Sequence, residues 1–438
     1  MSTGDRQRLK QQLLQQRSPA QRTPPSRRKG ETSSYADKAA LTRFDTLPQY
    51  QQITMIREGA RHLGLDDPFF RPHQGIAGAT THIGGRELIN FSSYNYLGLA
   101  GDERVIAAAS QAMTEYGTTV SASRIVSGER PIHRQLERAI ADAYGCEDAV
   151  AFVSGHATNV STLGELMGPK DLILHDEWVH NSAVVGAQLS GAKRVSFSHN
   201  DTSALETLLE RHRHQFERVI IVIEGLYSMD GDAPNLGALI ELKQRFQCWL
   251  MVDEAHSFGV LGEHGLGLRE HFQVEAREVD IWMGTLSKSL ASCGGYITGC
   301  QALVDTLRYL APGFLYSVGL PPQLAAPALR ALELMHQEPD RIARLHQISG
   351  YFLEQAKAQG LDTGKSIGAA VVPVIIGSSL KAARLSQHLF EAGINVQPIV
   401  YPAVPERAAR LRFFLCNEHT QAQIDYTMEQ LRTIIPKI

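Results

Sequence analysis

The chain has 438 residues, of which 43% are hydrophobic and 20% are charged, and its formal net charge is −3. This balance is ordinary for a globular protein, and it excludes a strongly basic nucleic-acid-binding protein as well as a strongly acidic scaffold. The five cysteines are scattered and form no C-x-x-C pair. We therefore expect neither a disulfide framework nor a metal site, and a reducing cytoplasmic location fits best. We also expect no membrane-spanning segment, because no apolar stretch is long enough to cross a bilayer.

Residues 1–45 have a composition of their own, rich in Gln, Arg, Pro and Ser. Up to Phe44 they include ten lysines and arginines against three acidic residues. Because such a segment can bury little apolar surface, we predict a disordered basic tail. It is either a solvated extension or a docking arm for an acidic partner, such as an acyl carrier protein or an anionic membrane surface. Peripheral membrane contact therefore stays open.

The remainder of the chain divides into three predicted parts. Residues 46–95 are an N-terminal segment that packs against the C-terminal domain or forms an arm. Residues 96–320 alternate helical segments with apolar runs of strand length, at 148–154, 171–176, 218–225, 249–256 and 280–287. Continuous apolar strands separated by helices indicate an α/β domain with a mainly parallel, doubly wound sheet covered on both faces. Residues 321–438 change pattern and are predicted to form a smaller α+β domain.

Polar residues follow each of these apolar runs, at the point where the strand is predicted to end. In a doubly wound sheet, ligands bind outside the carboxyl ends of the strands. The residues at these ends include a lysine, carboxylates, histidines and small hydroxyl residues, which are Ser154, Gly155, His156, His180, Ser228, Asp253, His256, Thr285 and Lys288.

These residue types together predict a pyridoxal phosphate site. A lysine amine such as that of Lys288 can form a Schiff base with an aldehyde cofactor. A carboxylate such as that of Asp253 can pair with a protonated pyridine nitrogen. Backbone N–H groups that open a helix at Gly155 can hold a phosphate, and a flat imidazole can stack on the ring. Taken singly, each residue is more simply a solvated lysine, a helix cap or a core histidine, so the prediction depends on their order and shared position.

Several stretches of the chain resemble the α-oxoamine synthases, a family within the fold-type I pyridoxal phosphate enzymes. The resemblance covers roughly residues 45–438 and is carried by FSSYNYLGLAGDERV, SASRIVSGERPIHRQLE, FVSGHATN, VHNSAVVGA, EGLYSMDGD, VDEAHSFGVLGEHGLG, GTLSKSLASCGG and YPAVPERAARLRFFL. It implies the fold of a fold-type I PLP-dependent transferase. It also implies a homodimer whose active site is built across the two-fold interface.

By this resemblance, Lys288 is the lysine that holds the cofactor and transfers protons. Asp253 pairs with the pyridine nitrogen, His180 stacks on the ring, and His256 lies near the phenolic oxygen and can polarise a ketone. The other implied cofactor-binding residues are Gly155, His156, Ser228, Thr285 and Ser317. The implied substrate-binding residues are Tyr94, Asn95, Ser123 and Arg412, of which Arg412 holds the amino acid carboxylate.

The implied reaction joins an amino acid to an acyl thioester of coenzyme A or of an acyl carrier protein. The amino acid loses its α-proton to Lys288 and attacks the thioester, which releases the free thiol. The β-keto acid then loses carbon dioxide and gives an α-amino ketone. The pimeloyl, palmitoyl and polyketide-like acyl chains all stay open.

Some positions depart from the commoner members of the family. Tyr94 stands where glycine- and alanine-using members usually carry Asn, and Ser123 stands where glycine-specific members carry Thr. Both changes favour alanine or serine over glycine, and simple repacking is the other interpretation of each. Val400 replaces an arginine of the serine-using branch. Ser317 could reach a neighbouring subunit's phosphate, although Val318 and Gly319 beside it replace hydroxyl residues often found there.

Two alternative functions stay open. One is a different PLP-dependent reaction on the same fold, such as that of an aminotransferase. The other is a non-catalytic partner subunit of an acyltransferase heterodimer, although Lys288, Asp253 and His180 are all present and argue against it. We expect no nucleic-acid partner.

Overall fold

The computed structural model describes residues 41–438, which divide into two compact units on either side of Gly64. In the first unit, a 3-10 turn at Phe44–Thr46 precedes helix α1, Pro48–His62, which has no fully buried side chain. The predicted basic tail lies outside the described residues apart from its last five positions. No described helix is both long and apolar enough to cross a bilayer.

The second unit is built around a seven-stranded sheet. Its strands are β3 (Asp148–Phe152), β4 (Leu172–Asp176), β5 (Lys193–Phe197), β6 (Val219–Glu224), β7 (Trp249–Asp253), β8 (Ile281–Thr285) and β9 (Gly295–Gly299). They lie in the order β3-β9-β8-β7-β6-β4-β5, and only β9 runs antiparallel to its neighbours. The five strands predicted from apolar runs are all found, a few residues shorter, which confirms the mainly parallel α/β fold.

Both faces of this sheet are covered. Along a strand, successive side chains point to opposite faces. Leu250 and Ile221 belong to the hydrophobic cluster on one face, and their chain neighbours Met251 and Ile220 belong to the cluster on the other face. This is why the strands read as continuous apolar runs instead of alternating ones.

The helices of the second unit connect the strands. In chain order they are α2 (Glu103–Tyr116), α3 (Pro131–Tyr144), α4 (Gly155–Leu166), α5 (Asn181–Ser190), α6 (Thr202–His212), α7 (Leu236–Phe246), α8 (Gly267–His271), α9 (Gln301–Leu310), α10 (Pro312–Leu315), α11 (Pro322–Gln337), α12 (Asp340–Ala358), α13 (Ser379–Glu391) and α14 (Gln421–Ile434).

Two small sheets complete the unit. One has the order β10-β13-β12, with β10 at Val371–Ile375, β12 at Pro398–Ile399 and β13 at Arg410–Phe414. The other has the order β1-β2-β11, with β1 at Thr80–Ile83, β2 at Arg86–Asn90 and β11 at Ile394–Asn395. Strand β2 comes from the predicted N-terminal segment and pairs with β11 from the C-terminal part. The predicted domain boundaries themselves stay predictions.

Candidate active site

A cavity of about 390 Å³ lies at the carboxyl edge of the large sheet, where polar residues follow the strands. All but three of the predicted site residues line it. Its lining residues are Tyr94, Ser154, Gly155, His156, Asn159, His180, Ser182, Glu224, Ser228, Met229, Asp253, Ala255, His256, Met283, Thr285, Ser287, Lys288 and Arg412. Most of them meet here because the parallel strands end at this edge.

Lys288 lies in the connection between β8 and β9, which folds back on itself. The N–H of Leu286 donates to the Gly294 oxygen at 3.0 Å, and the Lys288 oxygen accepts from Ala291 at 2.9 Å. Burial lowers the pKa of Lys288 to about 8, against the opposing effect of the Asp253 carboxylate. A lysine with this pKa is partly neutral near physiological pH and can act as a nucleophile or a base.

The Asp253 carboxylate is fixed by hydrogen bonds on both oxygens. Oδ2 accepts from Nδ2 of Asn159 at 2.7 Å, and Oδ1 accepts from the N–H of Ala255 at 3.0 Å. The same Asn159 nitrogen lies 2.9 Å from Oγ of Ser182, which contacts Nδ1 of His180 at 2.7 Å. This chain of contacts sets the orientation of both predicted cofactor partners, His180 and Asp253.

His256 is buried and lies on the same wall. Tyr96 contacts its Nδ1 through the phenolic oxygen at 2.7 Å. Burial, with the nearby positive charge of Lys288, lowers the pKa of His256 well below its usual value, so the imidazole is neutral. When Tyr96 donates to Nδ1, the proton of His256 is on Nε2, where it can be donated to an oxygen atom.

The first turn of α4 forms a tight backbone cradle. Ser154 caps the helix, with Oγ accepting from the N–H of Ala157 at 3.4 Å. The first N–H groups of a helix have no partner within it and favour an anion. A Cβ on Gly155 would lie 3.0 Å from Oγ1 of Thr285, and one on Gly295 would lie 2.7 Å from Cα of Gly155. The small residues therefore let the start of α4 pack closely against the end of β8 and the start of β9.

Arg412 reaches the cavity from β13 of the small sheet. Its Nη1 donates to the Ser228 oxygen at 3.1 Å and lies 3.3 Å from Sδ of Met229. Its Nε is buried and has no hydrogen-bond partner among the described residues. A guanidinium with an unused donor is suited to a carboxylate ligand.

Glu224 is a cavity residue to which the sequence assigned no role. It ends β6 opposite Asp253 on β7. One carboxyl oxygen accepts from the N–H of Ser228 at 3.3 Å, and the other is buried without a partner among the described residues. Burial and the charge of Asp253 raise the pKa of Glu224 to about 8, so its carboxyl group is mostly protonated at neutral pH.

Three predicted site residues do not line this cavity. Asn95 uses its side chain locally, with Nδ2 donating to the Ala77 oxygen at 2.9 Å and Oδ1 accepting from Ala100 at 3.1 Å. Ser123 precedes a π-helical turn, and Ser317 follows α10. Their roles stay predictions.

The residues present fit pyridoxal phosphate. Lys288 offers the amine and Asp253 a carboxylate for a pyridinium, while the start of α4 offers N–H groups to a phosphate. Buried polar atoms without partners among the described residues, Oε1 of Glu224 and Oδ1 of Asn159, belong to side chains that line the same cavity. A polar ring bound there would supply such partners.

Comparisons with known proteins find relatives along most of the chain. The family described as aminotransferase class I and II matches residues 86–431. An 8-amino-7-oxononanoate synthase of Symbiobacterium thermophilum is 41% identical over 343 residues, covering 78% of this chain and 87% of its own. The structure of a Sphingomonas wittichii serine palmitoyltransferase is 30% identical and aligns with a TM-score of 0.85, over 88% of this chain and 97% of its own. An 8-amino-7-oxononanoate synthase structure from Francisella tularensis is 27% identical with a TM-score of 0.70, over 80% of this chain and 98% of its own.

Proposed function

Since this chain belongs to the α-oxoamine synthases within the aminotransferase class I and II family, and is therefore a PLP-dependent acyltransferase, we propose that it condenses alanine or serine with an acyl thioester. The thioester is one of coenzyme A or of an acyl carrier protein, and the product is an α-amino ketone. The observation that carries the proposal is the convergence of Lys288, Asp253, His256 and Arg412 on one cavity.

Each of these side chains has a task in the reaction. Bound PLP supplies the electron sink that stabilises negative charge at the amino acid α-carbon. Lys288 removes and returns the α-proton, for which a pKa of about 8 is well matched. Asp253, held by Asn159, would keep the pyridine nitrogen of bound PLP protonated. His256 donates from Nε2 to the oxygen that develops negative charge at the thioester carbonyl.

The amino acid is held by its carboxylate at Arg412. Nε has no hydrogen-bond partner among the described residues, so it leaves a charged donor in the guanidinium plane for a carboxylate oxygen. The bond from Nη1 to the Ser228 oxygen fixes the direction of that plane. A carboxylate bound there is brought to the cavity wall that carries Lys288.

The choice of alanine or serine over glycine is supported by Tyr94. Its ring lines the cavity, with its centre 5.4 Å from Nζ of Lys288 and 4.8 Å from the Phe414 ring. An aromatic wall at this position gives apolar contact to the β-carbon of alanine or serine, an atom that glycine lacks.

We further propose that the enzyme is a homodimer. Large apolar side chains are exposed on two turns, the π-helical turn at Arg124–Gly128 and the turn that follows α10. Val126 in the first is 78% exposed, and Tyr316 in the second is 87% exposed. These turns adjoin each other, because Gly319 donates to the Ala122 oxygen at 3.0 Å. Exposed apolar patches of this kind are typical of subunit interfaces. Ser317 lies in the same patch, so a second copy could receive its side chain.

The experiment offers the purified holoenzyme glycine, alanine and serine in turn, each with a panel of acyl-CoA and acyl-carrier-protein thioesters. Free thiol and carbon dioxide are both measured. With alanine or serine we expect the two to be released in equal amounts. Formation of pyruvate without thiol release would instead indicate an aminotransferase.

The interface is tested separately by Val126→Asp, which places a charge in the exposed apolar patch. We expect this variant to lose the dimer.

A further inference from the structure

His199 is a buried imidazole held between two carboxylates outside the cavity. Its Nδ1 lies 3.0 Å from Asp176 and its Nε2 lies 2.8 Å from Asp232. The ring of Trp178 stacks on it at 3.8 Å, and the ring of Tyr227 meets it edge-on at 4.5 Å. Two acceptors on two ring nitrogens require that both nitrogens carry a proton, so the group is an imidazolium.

Charge and geometry agree on this protonation state. Burial opposes the positive charge, but the hydrogen bonds and negative charges of Asp176 and Asp232 outweigh it and raise the pKa of His199 to about 9. Tyr227 is the other ionisable side chain that faces the ring, and Glu177 accepts the backbone N–H of His199 at 2.9 Å.

Asp176 belongs to the loop that presents His180. It is the last residue of β4, its Oδ1 accepts from the N–H of Trp178 at 2.8 Å, and its backbone oxygen accepts from Val179 at 3.3 Å. These bonds shape the turn that ends at His180, which lines the cavity.

Asp232 belongs to the loop that presents Ser228. Its backbone oxygen accepts from the N–H of Tyr227 at 2.9 Å, and Gly231 donates back to the Tyr227 oxygen at 2.8 Å. The loop is thereby closed, with Ser228 and Met229 turned to the cavity wall. Ser228 in turn accepts the hydrogen bond from the carboxylate-binding arginine.

We propose that His199 is a positioning residue that joins the loops of His180 and Ser228 through Asp176 and Asp232, and so maintains the shape of the PLP-binding wall. The sequence offers no direct sign of it, since the two loops are separated by α5, β5, α6 and β6. The inference rests on the cofactor site and not on the choice of amino acid. The role of His199 can therefore be wrong while the proposed acyl transfer is correct. The acyl transfer can likewise be wrong while the role of His199 is correct.

The test uses two variants that each keep one half of the bridge. In His199→Asn the amide can still donate to Asp176, and in His199→Gln it can still donate to Asp232. We expect the dissociation constant of PLP to rise by about tenfold or more in both, as for other residues that orient direct ligands. PLP retention is followed by visible absorbance during dialysis of the holoenzyme, with thermal unfolding as a check on folding.

The matched control is His264→Gln, which removes an exposed contact of 2.6 Å with Glu270. We expect PLP binding as in the wild type. If His199→Gln and His199→Asn also bind PLP as the wild type does, the proposal is wrong.

A pH profile separates positioning from general loss of stability. The wild type is expected to lose PLP affinity as the pH rises through about 9, where the imidazolium loses its proton. His199→Gln should lack this step while keeping the steps due to other groups. If the histidine variants do not fold, Asp232→Asn replaces them in the test. This variant removes a negative charge beside His199, so the step should move to lower pH. An unchanged step in either variant would overturn the proposal.

Discussion

The guanidinium of Arg412 donates to the backbone oxygen of Ser228 at 3.1 Å, across 184 residues of sequence. This contact joins the small C-terminal sheet to the loop after β6. It brings a guanidinium from the small sheet to the cavity at the edge of the large sheet. The proposed binding of the amino acid carboxylate would therefore use a side chain from outside the seven-stranded sheet.

Replacing this arginine is expected to weaken amino acid binding selectively. In Arg412→Gln, KM for the amino acid should rise by about 10- to 100-fold, the effect of losing a charge-assisted contact, while PLP content stays normal. The control is Arg407→Gln on the exposed turn nearby. Steady-state kinetics with PLP quantified in each preparation measure both values, and an unchanged KM would contradict the role of Arg412.

Loss of the Asn159 amide is expected to loosen the cofactor. Asn159→Ala leaves Oδ2 of Asp253 without its 2.7 Å donor, so we expect PLP to dissociate about tenfold more readily, the usual scale for a hydrogen bond to a charged group. Thr162→Val on the same helix is the control, because Oγ1 of Thr162 has no hydrogen-bond partner among the described residues. Equal PLP affinity in the two variants would show that Asn159 does not support Asp253.

A methyl group at Gly295 is expected to close the phosphate cradle. In Gly295→Ala the new Cβ would lie 2.5 Å from Oγ1 of Thr158 and 2.7 Å from Cα of Gly155. The start of α4 must then move, and we expect weaker binding of both PLP and inorganic phosphate. Gly350→Ala, which has no atom within 4 Å of its new Cβ, is the control. Isothermal titration of the apoprotein measures both ligands, and phosphate binding that survives in Gly295→Ala would place the phosphate elsewhere.

The rate of PLP capture by the apoprotein is expected to follow the titration of Lys288. Because the pKa of Lys288 is lowered to about 8, half of the amine is in the reactive neutral form at about pH 8, and the rate should level off above about pH 9. An exposed lysine would keep gaining reactivity to much higher pH. Stopped-flow absorbance between pH 6.5 and about 10 measures the profile. A rate that is still rising steeply at the upper end would contradict the lowered pKa.

Tyr94 is expected to set the preference between amino acids. Tyr94→Asn removes the aromatic wall beside Lys288 and Phe414 and leaves space for water. The ratio of kcat/KM for alanine or serine to that for glycine should fall, by about 10-fold if one apolar contact is lost. Tyr94→Phe keeps the ring and should keep the ratio. If Tyr94→Asn also leaves the ratio unchanged, the selectivity comes from another residue.

Much of the site could be predicted from the sequence, because parallel strands place their carboxyl ends at one edge. The apolar run that ends at Asp253 and the run that precedes Lys288 lie on neighbouring strands, so their polar ends meet in the cavity. The resemblance to the family then assigned roles to residues that the strand ends had already brought together.

Other contacts could not be predicted, because they depend on long-range packing. Asn159 follows Gly155 by one helical turn, and its bond to Asp253 spans 94 residues. The phenol of Tyr96 lies 160 residues from His256, which it contacts. The pairing of β2 with β11 likewise depends on a register that no local pattern encodes.

The proposed chemistry depends on Lys288 as the amine that holds the cofactor. Reduction of the holoenzyme with borohydride, followed by peptide mapping with mass spectrometry, identifies that amine. We predict a pyridoxyl group on the peptide that contains Lys288. A pyridoxyl group fixed on a different lysine, with Lys288 unmodified, would show that Lys288 does not hold the cofactor.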